Sequence, residues 1–469
     1  MATDESAGVP ATVAPGTEAP APSPPTLGRV GLPARAVTLL LGGLLLREAF
    51  SFWTGHPFDL EVWIRTGAAA ARGVDPYSSF WPAVPGVSFA YLTQPITAAA
   101  YLPFWPALLG ELYRLWEVVG SGDRFVLYFL LKQPPILADV ATALLLGRLV
   151  MRWTQDSART VQIVGFWSFF PYSIIITAIW GQFDSIEVVV VLALLFADSS
   201  LQRNVLYGIG IFVKWLTAIF LPLEILRERG ARRLLFVVAL ALPAALTLAV
   251  FAAEGWAFTG LLATGTSQTH GGGLGMNYAS LLDLPAVQTV LFRVPGFYTV
   301  AAYLWVPGII VAGYVGAAGL RPSTPRGELR AMLLVVTTFL LLRWGVYEQY
   351  MLYLFSLLVL DVVVFHPGRR AYFRFTYALA LVWLLVNNDL GIRFVSPLST
   401  AVQPYTAALD QNDTWGLFRS YALIGLAVIV TVTLAQLLWA IAKDQERPIP
   451  WCLDGLVRVG RWVRRGTTA

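Results

Sequence analysis

Apolar residues in this chain come in runs rather than in strict alternation with polar ones. Largely uncharged stretches recur at 37–54, 125–151, 160–180, 185–198, 234–252, 297–319, 331–343, 348–365, 374–387 and 417–441. A helix crossing a bilayer needs about 20 such residues, and a run without period-two alternation reads as helix rather than strand. The pattern predicts an all-α polytopic membrane protein with about 10–12 transmembrane or half-membrane helices. Two stretches depart from it. Residues 91–119 contain Pro95, Pro103 and Pro106 together with Glu111 and Arg114, which suits interfacial or re-entrant helices on the outer side. Residues 205–226 hold Lys214 at their middle and Pro222 near their end. A lone lysine at mid-bilayer costs about 2.5–3.5 kcal/mol on insertion scales, so a pair of half-helices turning near Lys214 is expected.

The polar positions between the runs set orientation. Counting the runs alternately puts Arg148, Arg152 and Arg159, then Arg227, Arg229, Arg232 and Arg233, then Arg321, Arg326 and Arg330, then Arg369, Arg370 and Arg374 on one side. That side is the cytoplasm by the positive-inside rule, and both termini fall there. The opposite loops, 55–90, 253–296 and 388–416, are long and carry few basic residues, although Arg114 and Arg124 run against the rule. Residues 1–36, rich in Ala, Pro, Thr, Ser and Gly, read as a disordered cytoplasmic tail, and 443–469 as a basic cytoplasmic tail. The first apolar run starts only at Val37 and is long enough to stay as a span, so a cleavable signal peptide is not expected. Between the tails, 37–442 reads as one membrane domain without internal repeats.

Composition narrows the function classes. Hydrophobic residues make up 57% of 469 and charged residues 13%, with a mean hydropathy of +0.64, which leaves no room for a sizeable soluble domain. The net charge of +5 sits in short clusters between apolar runs, the membrane pattern rather than a nucleic-acid footprint. With Cys452 as the one cysteine, no intrachain disulfide can form.

Candidate chemistry collects at the outer ends of the spans. The segment HPFDLEVWIRTGAAAARGVDPYSSFW places Asp59, Glu61, Arg65, Arg72 and Asp75 close together. On a helix over 58–71, Asp59, Trp63 and the 66/67 region share a face, while Glu61 and Arg65 pair at i,i+4 on another. The two acids are therefore expected to have different jobs, although a solvated juxtamembrane loop accounts for the same charges without chemistry. LKQPPILAD sets Lys132 and Asp139 two turns apart on one face of a span, with Pro134 and Pro135 able to kink it. Ionisable groups inside a membrane face a cavity or one another, so this is a site or a structural Lys–Asp pair. IWGQFDSIE puts Gln182, Asp184 and Glu187 at a tight outer turn. RWGVYEQY joins Arg343, Tyr347, Glu348 and Gln349 at another junction, where Arg343 and Glu348 are also placed to pair. His56 and His270, in THGGGLGMNYAS, are the outer histidines, each more often a loop residue than a base. No Walker loop, dinucleotide fingerprint, HExxH or Cys/His metal spacing is present. Outer aromatics such as Trp53, Trp63, Tyr77, Trp81, Trp180, Trp344 and Tyr347 suit carbohydrate surfaces.

The order FDLE, GVDPYSSF, YLTQPITAAAYLPF, LLKQPPILAD, WGQFDSI and IFVKWLTAIFLP resembles that of the GT-C glycosyltransferases, polytopic enzymes that use polyprenyl- or dolichyl-phosphate sugars. Within that class it is similar to the GPI-type mannosyltransferases and their prokaryotic relatives. The resemblance covers roughly residues 37–226, with only hydropathy and the EQY junction matching beyond. It implies a GT-C-like fold and an inverting transfer of a hexose, commonly mannose, to a lipid-linked or glycan acceptor. The reaction would lie on the extracytoplasmic face of a plasma membrane or endoplasmic reticulum, the donor's prenyl tail entering sideways from lipid. Asp59 falls where the family places its catalytic acid, with Glu61 as the other half of the motif. Because FDLE is D-x-E rather than D-x-D, any shared metal geometry is altered; no cofactor is required, and a divalent metal is the one compatible addition. A lipid phosphate leaves readily where cations hold its charge, and Lys132, Lys214 and Arg343 are the candidates, with Asp59 as general base. Asp75, Asp139, Gln182, Asp184, Glu348, Gln349 and His270 complete the expected substrate-binding set. The competing reading is a transporter or flippase of a lipid-linked sugar or anion, marked by charges spread through the membrane depth. An assembly subunit without chemistry should tolerate neutralising Asp59, Asp75 and Asp184 together.

Overall fold

A computed structural model describes residues 31–445, apart from 79–80, 90–100, 121, 229, 262–274, 283, 292, 295, 321, 399–401, 403–404, 406–407 and 410–411. Most of both expected tails, Cys452, the first part of the 91–119 stretch and His270 lie outside the described residues.

The apolar runs become helices, and helix is the extended regular structure among the described residues. In chain order they are α1 (Ala34–Ser51), α2 (Pro57–Ala71), α3 (Phe104–Val119), α4 (Arg124–Thr154), α5 (Ser157–Ser168) and α6 (Pro171–Trp180). There follow α7 (Asp184–Leu194), α8 (Ser200–Val213), α9 (Leu221–Arg227), α10 (Phe236–Glu254) and α11 (Trp305–Gly319). The last four are α12 (Pro325–Leu342), α13 (Met351–Leu360), α14 (Arg370–Asn387) and α15 (Asp413–Ala442). Five stretches are long and apolar enough to cross a membrane, and two bent pairs raise that number to as many as seven. This is a multi-pass helical membrane architecture. Helices α1 and α12 match a span in length but carry charged residues near their ends, among them Arg47 and Glu48 in α1 and Arg326, Glu328 and Arg330 in α12.

Burial separates core from lipid face. Every residue of α13 is buried, whereas Leu45 on α1, Leu248 on α10, Val311 on α11 and Tyr421 on α15 stand exposed. A belt of that size on a soluble protein would drive association; on a membrane protein it meets lipid. Lipid is as apolar as leucine, so helix–helix cohesion comes from close packing and polar pairing rather than from hydrophobic burial. Gly43 shows the packing: a Cβ there would stand 2.7 Å from the Ser168 side chain and carbonyl on α5.

The expected turn near Lys214 is present. Helix α8 stops at Val213, Lys214 takes extended backbone (φ −159°, ψ 136°), and a 3-10 turn, Trp215–Phe220, leads into α9. Ser200, at the start of α8, donates to the Glu228 carboxylate just past α9. The chain therefore goes in and returns, with Lys214 at the apex beside Asp184, the first residue of α7. At the far end of the bundle Arg203 and Arg227 meet Glu328, and Arg326 and Arg330 meet Asp444. This arginine-rich end lies opposite α2 and α3. Arg114 and Arg124, which ran against the charge rule, have local uses. Arg114 donates to the Ala70 and Ala71 carbonyls beside Glu111 and Glu254, and Arg124 lies over the Phe125 ring.

Candidate active site

Pro57 occupies the first position of α2, where a missing N–H costs nothing, and Asp59 follows in the first turn, where unpaired N–H groups favour a carboxylate. Its Oδ2 lies 3.1 Å from His56 Nδ1 and accepts from Trp180 Nε1, and the Gln182 side chain also bonds it. Trp180 reaches this point because α6 ends in a π-helical turn, Ile175–Trp180, closed by Gly181 at φ +98°. A Cβ at Gly181 would press to 3.2 Å on Lys132 and Trp63, so both the backbone angle and the space require glycine. Burial raises the Asp59 carboxyl, but the His56 charge and the hydrogen bonds from His56, Trp180 and Gln182 outweigh it and hold the group below the usual carboxylate value. The side chain keeps 18% exposure. Asp59 is thus an ionised acid with an open side.

A second cluster faces the same region. Lys214 Nζ lies 2.7 Å from Asp184 Oδ1 and about 5 Å from the Phe183 and Tyr350 rings. Arg343, just past α12, stands 4.9 Å from that same Tyr350 ring and is flanked by Trp215 at 5.3 Å and Phe339 at 5.7 Å. Its guanidinium donates to the Gly345 carbonyl and meets no carboxylate among the described residues. The Arg343–Glu348 pairing allowed by the sequence does not form, because Glu348 turns to Asn387 (2.7 Å) and Asn388 (3.5 Å) at the C-terminal end of α14. Tyr101 lies within electrostatic range of Asp59, Asp184 and Tyr350, and Tyr347 and Glu348 within range of Asp59. Asp59, Gln182, Asp184, Lys214, Arg343 and Glu348 therefore converge at the end of the bundle away from the arginine-rich one. Asp184 Oδ2 and Gln349 Oε1 are buried without a hydrogen-bond partner among the described residues.

Other expected residues stand apart. Glu61 is fully buried, bound to Arg65 Nε and to the Phe89 N–H, while Arg65 holds the Trp81 carbonyl. The two acids have different partners, and Glu61 staples the loop that follows α2. Asp75 also staples, taking the Tyr77 N–H (2.9 Å) and the Ala257 N–H (3.0 Å). Lys132 and Asp139 do not pair. Lys132 turns to the Thr54 and Ala178 carbonyls at 2.5 and 3.1 Å, and Asp139 pairs with Arg47 at 2.7 Å. The i,i+7 spacing places them on one face, but two turns of helix separate them and each finds a nearer partner on another helix. Arg47, a charge inside the first apolar run, was a visible signal of a buried partner. Tyr101, Tyr350, Tyr353, Trp215, Asn387 and Asn388 gave none, because within apolar runs or short loops they read as ordinary filling.

An ionised acid with an open side can take a proton from a hydroxyl, a caged cation without a carboxylate can hold an anion, and the two unpaired acceptors can receive hydroxyl hydrogens. Asp59 and Glu61 offer no chelate, since they face different partners, and no three of His, Cys, Asp and Glu stand together as ligands among the described residues. No protein-family model and no curated protein matches the chain.

Proposed function

We propose that this protein is an integral membrane glycosyltransferase that moves a hexose, mannose in the first instance, from a polyprenyl-phosphate donor to a lipid-linked or glycan acceptor. The arginine distribution supports a reaction on the extracytoplasmic face. The observation that carries this reading is that an ionised acid, Asp59, and a cation, Arg343, that meets no carboxylate among the described residues both lie within electrostatic range of Tyr347. Asp59 takes the proton of the acceptor hydroxyl, whose oxygen attacks the anomeric carbon opposite the phosphate and inverts it. The bond from that carbon to the phosphate oxygen breaks with its electron pair on the oxygen, and Arg343 and Lys214 hold the charge. Asp184 Oδ2 and Gln349 Oε1 receive sugar hydroxyls, and the exposed Tyr347 ring offers a stacking face. The glycine turn at 181 and the π-helical turn before it keep Trp180 and Gln182 on Asp59, so the base is positioned before substrate arrives.

The transporter reading draws on one observation, the Arg47–Asp139 pair deep in the bundle. Its polar atoms are bonded to neighbouring helices and both side chains are 1% exposed, so it ties helices together rather than lining a path.

The test is transfer from a synthetic polyprenyl-phosphate mannose by the purified full-length protein. Asp59→Asn keeps shape but accepts no proton, and the rate should fall by about two to four decades while donor binding survives. Near-normal transfer by folded Asp59→Asn protein removes Asp59 as the base. Translocation of the lipid without transfer moves the assignment to a flippase.

A further inference from the structure

Three buried residues beside the site, Glu187, Thr217 and Tyr353, have no part in the steps above. Glu187, one turn along α7 from Asp184, is 0% exposed. Its Oε1 accepts from the Thr217 backbone N–H and, at 2.5 Å, from Thr217 Oγ. Its Oε2 lies 2.5 Å from Tyr353 Oη, which in turn lies 3.3 Å from Asp184 Oδ1, the atom that also receives Lys214. The groups facing Glu187 are thus Asp184 on its own helix, Lys214 and Thr217 at the chain reversal, and Tyr353 on α13.

Counting protons decides which acid is neutral. Tyr353 has one hydroxyl hydrogen and two carboxyl groups in range, and Lys214 is the cation in contact with Asp184. With both acids ionised, one Tyr353 contact would oppose two oxygens with no hydrogen between them, and a buried cluster would carry net negative charge. A single proton on the cluster removes both problems. Lys214 sits on Asp184, so Asp184 keeps the charge and Glu187 carries the proton. A directed chain results, from Glu187 O–H to the Tyr353 oxygen and from Tyr353 O–H to Asp184 Oδ1.

We propose that Glu187 is a proton store for the leaving phosphate, neutral while the donor is bound and discharged through Tyr353 to Asp184 as the phosphate departs. This deepens the glycosyl-transfer reading and rests on it. The donor phosphodiester carries one negative charge. When its bond to the anomeric carbon breaks with the electron pair on oxygen, the phosphate becomes a monoester with two, while the acceptor proton goes to Asp59. Tyr353 then passes its hydrogen to Asp184 as Glu187 passes its own to Tyr353, so two O–H bonds break and two form with no change in the network's total charge. Asp184 becomes neutral, and Lys214 is released to face the second phosphate charge. Glu187, now ionised, keeps the donors already around it, Thr217 N–H, Thr217 O–H and Tyr353 O–H, the set a buried carboxylate needs. Glu187 and Tyr353 act through Asp184 and Lys214 and are positioning residues.

The test uses the full-length protein, a short-chain polyprenyl monophosphate as product, and its methyl phosphodiester as a singly charged mimic. Infrared spectra of the ligand-free protein should show the carbonyl stretch of a buried protonated carboxyl that Glu187→Gln removes, and that is replaced, on adding the monophosphate but not the diester, by a band at a different frequency that Asp184→Asn removes. Glu187→Gln and Tyr353→Phe, with folding followed by melting, should each lower the monophosphate-to-diester affinity ratio by about tenfold or more. No such band, or a ratio unchanged in both variants, overturns the relay, as does a loss equal for both lipids, which marks a structural role. A wild-type protein that binds neither lipid overturns the glycosyl-transfer reading instead, and the infrared band then still reports on Glu187 alone.

Discussion

Two of the buried ion pairs in this bundle are built in opposite ways. Arg47 reaches Asp139 Oδ2 through Nε and Nη2 at 2.9 and 2.7 Å, and its other N–H groups go to the carbonyls of Gly43, Trp167 and Ser168 and to Ser173 Oγ. Asp139 is closed in turn by Trp167 Nε1 and Thr177 Oγ1. The Lys214–Asp184 pair leaves Asp184 Oδ2 unpaired and sets its cation against aromatic rings, beside Arg343 on the same Tyr350 ring. The first pair has no hydrogen-bonding capacity left, and the second has capacity to spare. Charge inside a membrane is thus a poor marker of chemistry by itself; unused capacity of buried polar groups is a better one.

The comparison breaks first at Asp139. Asp139→Ala strands a fully buried guanidinium, and removing one partner of such a pair costs about 3–5 kcal/mol. Melting of the purified protein should fall accordingly, and the double change Arg47→Met with Asp139→Leu should recover most of the loss, since apolar residues of similar volume replace closed pairs at little cost. An Asp139→Ala protein as stable as wild type would show that the pair is not what joins α1, α4 and α5. Arg343→Gln tests the open side. It removes a charge that meets no carboxylate among the described residues, so melting should hold while kcat/KM for the lipid-phosphate donor falls about tenfold to a hundredfold, the range for a charge-assisted hydrogen bond. A drop in stability with normal kinetics would place Arg343 with the closed pair instead.

Much of this contrast was visible in the sequence wherever partners are close along the chain or a run of residues is uniform. Hydropathy locates the helices because every residue of a run contributes to it, and Lys214 with Pro222 locates the chain reversal because an uncompensated lysine forbids a straight span. The Glu61–Arg65 pair is an i,i+4 contact, which helix geometry fixes. Arg47 and Asp139 are 92 residues apart, and nothing local announces their pairing. Lys132 shows the reverse error: its spacing from Asp139 suggests a contact, yet its Nζ donates to two carbonyl groups contributed by other segments. The cage around Arg343 joins Phe339 and Tyr350, its neighbours along the chain, to Trp215 from a far earlier segment, and each of the three reads as apolar filling.

The smallest expected effect sharpens the account of Asp59 itself. Burial pushes this carboxyl up, and His56 is the largest influence pulling it down, with Trp180 and Gln182 adding hydrogen bonds. Because the folded value lies below the ordinary one of about 3.9, the group's contribution to stability is present above that ordinary value and is lost as pH falls through the lower, folded one. His56→Gln removes the charge and leaves burial in place, so the folded value must rise. At pH 7 Asp59 stays ionised and the transfer rate should change little. The acid limb of the kcat/KM profile, which reports the free enzyme's base, should move to higher pH, and resistance to acid unfolding should weaken in the same direction. Trp180 and Gln182 still hold the carboxylate, so the shift should be smaller than the loss caused by Asp59→Asn. An acid limb that stays in place, or moves to lower pH, would mean that His56 does not tune the base and that the Asp59 carboxyl is held down by its hydrogen bonds alone.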